Sequence, residues 1–211
     1  DFANEYYRKA ISQHCDASQY KSAAILEERM ANNHRRKKNF ESSIQEYERA
    51  SKLYTAANEF DSADRTLDQT AYFLGKVGRV RDSAYSYQSL AKEQQANQNM
   101  KKFEVPRTML RVGLLLLCDC LQKSPKLDFF EIRQTMEEMY EVDCRFEESS
   151  EHAFFVDMVK CAAQGDLDKY VDCLHSFNLL SKFDDLMLDA LEGIKTAVAE
   201  RANMVAKEVK R

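Results

Sequence analysis

With 211 residues, a net charge of −4 and only 5 Gly and 2 Pro against 44% hydrophobic and 31% charged residues, the chain has a helical composition and room for one large or two small domains. The negative balance argues against a nucleic-acid binder. The longest apolar run, residues 112 to 118 between Arg111 and Asp119, is far short of the roughly 20 residues that span a bilayer, and predicts a buried helix instead.

The net charge conceals an asymmetry. Residues 1 to 111 carry 19 Lys+Arg and 15 Asp+Glu, a balance of +4, whereas residues 112 to 211 carry 12 against 20, a balance of −8. Two ends of opposite sign predict two partners of opposite sign. The six cysteines show no CxxC spacing and no regular framework, so free thiols and a reduced, cytosolic setting are expected.

In chain order, residues 2 to 15 predict a first helix with Phe2, Tyr6, Ala10 and Ile11 on one stripe. The chain opens inside this pattern, which predicts that earlier repeats precede it. A second helix starts at Tyr20, with Ala23, Ala24, Ile25 and Met30, and ends near His34. The same face begins again at Phe40 (Ser43, Ile44, Tyr47, Ala50), at Phe60 (Ala63, Leu67, Thr70-Ala71) and at Val80 (Ser83, Ala84, Tyr87, Leu90). Helix starts at 20, 40, 60 and 80 imply helices of about fifteen residues joined by tight turns, two to a repeat of roughly forty. Short polar stretches at 17 to 19, 37 to 39, 57 to 59 and 78 to 79 supply the turns. A large residue at each start needs a gap to enter, and the Ser or Ala three residues on would leave one. One helical pair cannot bury its own apolar face, so the pairs are expected to stack as an all-α, right-handed superhelical solenoid of tetratricopeptide-like hairpins. The basic run Arg35-Arg36-Lys37-Lys38 falls at a helix end, where cations suit the dipole and a solvated corner is expected.

The rhythm breaks at residues 96 to 99, which predict a loop. Pro106 suits the first turn of a sixth helix that continues into the leucine run, and residues 124 to 126 form the next turn. A seventh helix is expected over 127 to 140 with Phe129, Phe130, Ile132, Met136, Met139 and Tyr140. An eighth follows with Phe154, Phe155, Met158 and Val159, closed by Gly165. A short ninth spans Leu167 to His175, and a long last helix carries Leu186, Leu188, Leu191, Ile194 and Val198. The expected organisation is one continuous array, with hairpin repeats over 1 to 100 and final hairpins with a C-terminal helical bundle over 101 to 211.

Chemistry is sparse. GxSxG, GxxxxGK[ST], GxGxxG and HExxH are all missing, and the spacings of Cys144, His152, Cys161, Cys173 and His175 match no common zinc site. No catalytic residue, metal or cofactor is expected, and the architecture offers an extended protein-binding surface.

The ordered phrases YKSAAI (20 to 25), NFESSIQEYERASKLY (39 to 54), FDSADRTLDQTA (60 to 71), GRVRDSAYSYQSLA (78 to 91) and LLSKFDDLMLDALEGIKTAV (179 to 198) resemble the soluble NSF attachment proteins, the alpha form more than gamma. Over nearly the whole chain they parallel that family's C-terminal two-thirds. The resemblance implies an adaptor for vesicle fusion and trafficking. Several copies would lie along a four-helix SNARE bundle through a basic concave face, and the C-terminal end would recruit and stimulate the hexameric ATPase NSF. It further implies a cytoplasmic protein, peripheral on vesicle or target membranes through SNAREs, with no nucleic acid among its partners. The family's N-terminal membrane-touching loop has no counterpart among these residues.

Position by position, the resemblance makes Arg65, Lys101, Lys102 and Arg107 SNARE-contact candidates, and Asp119, Glu151 and Val209 NSF-contact candidates. Ile25 and Gln69 stand where the family has lysines, Leu186 where it has tryptophan, Val209 where it has a near-terminal leucine, and Lys160, Ala163 and Gln164 where it has an acidic cluster. An alternative reading of the same residues is a scaffold subunit similar to the forty-kilodalton huntingtin-associated protein, from Glu104-Val105-Pro106-Arg107 followed by the leucine run.

Overall fold

A computed structural model describes residues 2 to 96, 103 to 123 and 129 to 209, with the side chains at 2, 3, 129 and 205 to 209 outside the description. The expected loop beyond Ala96, the turn at 124 to 126, and the side chains of Phe2 and Phe129 therefore lie outside the described residues. Within them the elements are helical: α1 (Phe2–Asp16), α2 (Tyr20–Arg36), α3 (Phe40–Ala56), α4 (Phe60–Lys76), α5 (Val80–Ala96), α6 (Val105–Lys123), α7 (Phe129–Val142), a 3₁₀ turn (Cys144–Glu148), α8 (Ser150–Gln164), α9 (Leu167–Leu180) and α10 (Asp185–Val209). The protein is all-α and built of consecutive helical hairpins, in two compact units, Asp1–Asn97 and Gln98–Arg211.

In the first unit the predicted starts at 20, 40, 60 and 80 are the observed ones, and one turn is used four times. Ser18, Lys38, Asn58 and Gly78 each take the left-handed conformation (φ 56°, 58°, 57° and 83°). The next N–H then reaches back five residues, from Gln19 to His14 O, Asn39 to His34 O, Glu59 to Tyr54 O and Arg79 to Leu74 O, at 2.8 to 2.9 Å. These bonds satisfy carbonyls that the helix end leaves orphaned. Each helix packs on the next with its small +3 residue at the contact, and Ala23, Ser43, Ala63 and Ser83 are all 0% exposed. Two of these serines also bond across the hairpin stack, Ser43 Oγ to Ala31 O (3.0 Å) and Ser83 Oγ to Ala71 O (2.6 Å). The second bond is the first displaced by forty residues.

The starting residues differ: Tyr20 and Phe60 lie partly at the surface (36% and 40% exposed), whereas Phe40 is half-buried against the cluster of Ala31, Ile44, Tyr47, Phe73 and Leu74 and stacks on Phe73 at 5.4 Å between ring centres. Tyr47, Ala50, Tyr87 and Leu90 are buried in the interior. In α1, Tyr6 is exposed, and Tyr7, one turn before Ile11, faces the cluster of Ile11, Ala23 and Met30. Ile25 also lies at the surface.

The second unit centres on α6, which packs against α7, α8 and α10 and buries residues around most of its circumference, from Val105 through Cys120. Glycines permit the closest approaches: a Cβ at Gly113 would lie 2.8 Å from the Phe155 ring of α8, and one at Gly193 of α10 would lie 2.6 Å from Cys118 Sγ. Ser149 and Asp166 cap α8 and α9 by accepting from His152 N and Lys169 N, and Gly165, at φ 69°, closes α8 as expected. Phe130 and Leu188, expected in the core, are exposed, whereas Met187 is buried. Helix α9 runs on to Leu180, beyond the expected end at His175, because Phe177 stacks on Phe154 (4.3 Å) and Phe183 (5.4 Å).

Candidate functional site

Helices two apart in the first unit touch through long side chains, so α2 and α4 form one layer and α1, α3 and α5 the other. The α2/α4 layer presents a row of polar contacts: Lys21 Nζ to Glu59 (2.5 Å), Arg65 Nη2 to Glu28 Oε2 (3.1 Å) and Arg35 Nη1 to Gln69 Oε1 (3.4 Å). Arg65, the first candidate, is 61% exposed, and its charge is shared with Glu28. Glu28 also accepts a hydrogen bond from Tyr54 Oη on α3 (2.8 Å), and burial with that contact pushes the Tyr54 phenol up. Glu28 thus joins three helices. Gln69, where the resemblance implies a lysine, accepts from the exposed Arg35 of α2, so the neighbouring helix brings a positive charge to this position.

Arg107 is tied to the segment before α10. Its guanidinium donates to Ser181 Oγ (3.4 Å) and to the Lys182 carbonyl, and one turn later Arg111 Nε donates to Asp184 Oδ2 (2.8 Å). Asp184 Oδ1 in turn caps α10 at Met187 N (2.9 Å). The two arginines hold the start of α10 against α6. Lys101 and Lys102 lie outside the described residues, as does the Val209 side chain.

On the acidic side, Asp119 has a side chain only 14% exposed and pairs with Lys123 Nζ at 2.6 Å. Glu151 is half-buried in the first turn of α8 and accepts from Ser150 Oγ (2.9 Å). Lys160 is exposed and bridges to Asp157 (3.1 Å), so the α8 surface carries both signs where the resemblance implies an acidic cluster.

One electrostatic feature escaped the sequence. Glu27 of α2 and Glu46 of α3 are 6% and 3% exposed and hydrogen-bond to each other, and Glu27 Oε2 meets no donor among the described residues. Desolvation, with the Glu46 contact and charge adding to it, pushes the Glu27 carboxyl up to about 8, so it holds a proton at neutral pH. Glu46 is balanced by Arg49 (2.9 Å) and Arg8 of α1 (3.9 Å). A Glu in the +7 position occupied elsewhere by Tyr or Leu was the available signal.

Among the described residues no group of three His, Cys, Asp or Glu is placed to hold a metal ion, and no helix is long and apolar enough to cross a membrane. His152, one of the five Cys and His residues whose spacing matches no common zinc site, bonds Tyr140 Oη (2.7 Å). The described residues define an all-α array of helical hairpins with a charged, hydrogen-bonded surface. The profile of the soluble NSF attachment protein (SNAP) family matches residues 1–199, and the chain belongs to that family. It is 23% identical over 170 residues to the alpha-soluble NSF attachment protein of Vitis vinifera, a match covering 79% of this chain and 56% of that protein. The chain thus spans little more than half the length of that relative.

Proposed function

We propose that this protein is a non-catalytic adaptor that binds assembled SNARE bundles through the exposed α2/α4 face and recruits NSF through its acidic C-terminal unit. Membership of the SNAP family supports the role. The observation that carries the surface is the pair Arg35 and Arg65, exposed on touching helices and hydrogen-bonded to Gln69 and Glu28. Lys101, Lys102 and Arg107 remain further proposed SNARE contacts, and Asp119, Glu151 and Val209 remain the proposed contacts toward the ATPase. Membrane association is peripheral, through the SNAREs. Exposed ion pairs contribute about 0–1 kcal/mol each, so useful affinity needs several contacts and several copies.

The test is capture of the protein on a purified SNARE bundle across a salt series, followed by addition of NSF. Neutral substitutions suit it best, since Arg65→Glu would set a second carboxylate against Glu28. Arg35→Gln with Arg65→Gln should weaken capture by up to roughly tenfold and flatten its salt dependence. Capture indifferent to salt and to both substitutions would overturn the assigned face, and capture without NSF recruitment would overturn the second half of the proposal.

A further inference from the structure

Helices α2 and α4 are tied side by side by Lys21–Glu59 and Glu28–Arg65, and residues forty apart hold equivalent places on them. At one such place the two helices differ in kind. Ile25 of α2 is 37% exposed, and its counterpart on α4 is the exposed Arg65. One turn from Ile25 along α2 stand Lys21 on one side and Glu28 and Arg29 on the other. Lys21 and Arg29 are exposed, and Glu28 holds the Arg65 guanidinium at 3.1 Å, so cations lie before, beyond and beside the isoleucine. A solitary apolar residue at a surface is ordinary. This one occupies an outward position that suits Lys, Arg or Glu, and its branched side chain has a lower helix propensity than theirs. It leaves apolar surface in water in the midst of charge.

We propose that Ile25 is the apolar anchor of the α2/α4 face and selects, on the bundle, a helix stripe in which a small or apolar side chain stands between carboxylates one turn to either side. The inference rests on the SNARE-binding reading above. The complement follows from spacing. Lys21, Ile25 and Arg29 are four residues apart, about 6 Å per step along α2, and a partner helix laid on this ridge meets them with residues at the same interval. Carboxylates at the outer two places pair with Lys21 and Arg29, and the side chain between them closes over Ile25. That contact takes apolar surface from water and shields the flanking ion pairs, as a buried centre does within a charged rim. A stripe with a charge at the middle place would desolvate that charge against Ile25 and bind less tightly. Attraction of charge alone accepts any acidic surface, whereas Ile25 adds a requirement on where the carboxylates stand.

The experiment extends capture on a purified SNARE bundle to Ile25→Ala, Ile25→Leu and Ile25→Lys, each checked by its thermal melt. Ile25→Lys decides, because the two accounts give it opposite signs. Attraction of charge alone gains from a further cation between Lys21 and Arg29, whereas an anchor is lost. The expected result is capture weakened about tenfold in Ile25→Lys and about three- to fivefold in Ile25→Ala, and near wild type in Ile25→Leu. The salt dependence of Ile25→Ala should run parallel to that of the wild type, since the contact removed carries no charge. Should Ile25→Lys melt low, Ile25→Ala against Ile25→Leu still decides. Capture tightened by Ile25→Lys, or unchanged by Ile25→Ala, overturns the anchor and leaves the basic face in place. A wild-type chain that the bundle does not capture at low salt overturns the face and the anchor together.

Discussion

In the first unit one left-handed turn recurs at Ser18, Lys38, Asn58 and Gly78, and one serine-to-carbonyl bond recurs forty residues apart. In the second, helix ends are closed by Ser149, Gly165 and Asp166 in different ways, and the helices gather round α6 at glycine contacts that do not repeat. The first unit distributes its stability over equivalent junctions between neighbours. The second concentrates it in one buried helix, so a single change there reaches three packing partners at once.

The largest expected effect tests that concentration. Leu114→Ala, at a fully buried position of α6, should cost about 2–5 kcal/mol in denaturant unfolding, because the cavity is walled by several helices and cannot collapse. A loss below about 1 kcal/mol would remove α6 from its central role.

The next effect lies in the periodic unit, at the buried Glu27. Unfolded, Glu27 releases its proton near 4.5, and folded near 8. Between those values the folded chain holds a proton that the unfolded chain lacks, so stability falls as pH rises from about 4.5 to 8 and levels off above. Glu27→Gln keeps a donor toward Glu46 without the titration. It should flatten that slope and raise stability at pH 7 by roughly 1–3 kcal/mol, read from melts across the pH range. A variant with the wild-type slope would place the titration elsewhere.

The smallest effect probes the turns. Lys38 occupies a left-handed site that favours glycine, so Lys38→Gly should stabilise by about 0.5–1 kcal/mol, offset in part by added freedom in the unfolded chain. A destabilised variant would mean that the Lys38 side chain contributes more than its backbone conformation costs.

The repeats were legible in the sequence because a helix, a three-residue turn and a small contact residue recur at a fixed interval, and local chemistry sets each of them. What crosses between helices was harder to read. Arg8–Glu46, Lys21–Glu59, Glu28–Arg65 and Glu41–Arg79 join opposite charges 37 or 38 residues apart, just under one repeat. That rule emerges only once the helices two apart are known to lie side by side. The partners of Arg107 were hidden for a related reason, since Ser181 and Lys182 are more than seventy residues away and neither is acidic. In α9 the end was missed because Leu179 and Leu180 are exposed and look like loop, while the ring of Phe177 that holds them helical has partners on other elements.

The junction at Glu28 has a consequence for selectivity. Its carboxylate already occupies the guanidinium of Arg65 and is itself anchored by Tyr54, so this surface comes with an internal stand-in for an acidic ligand. A lone carboxylate from outside merely exchanges with that stand-in and gains little. Under the proposed function, a dense, ordered array of negative charge would engage Arg35 and Arg65 together and displace it, and the built-in competitor would filter isolated anions from polyanionic surfaces.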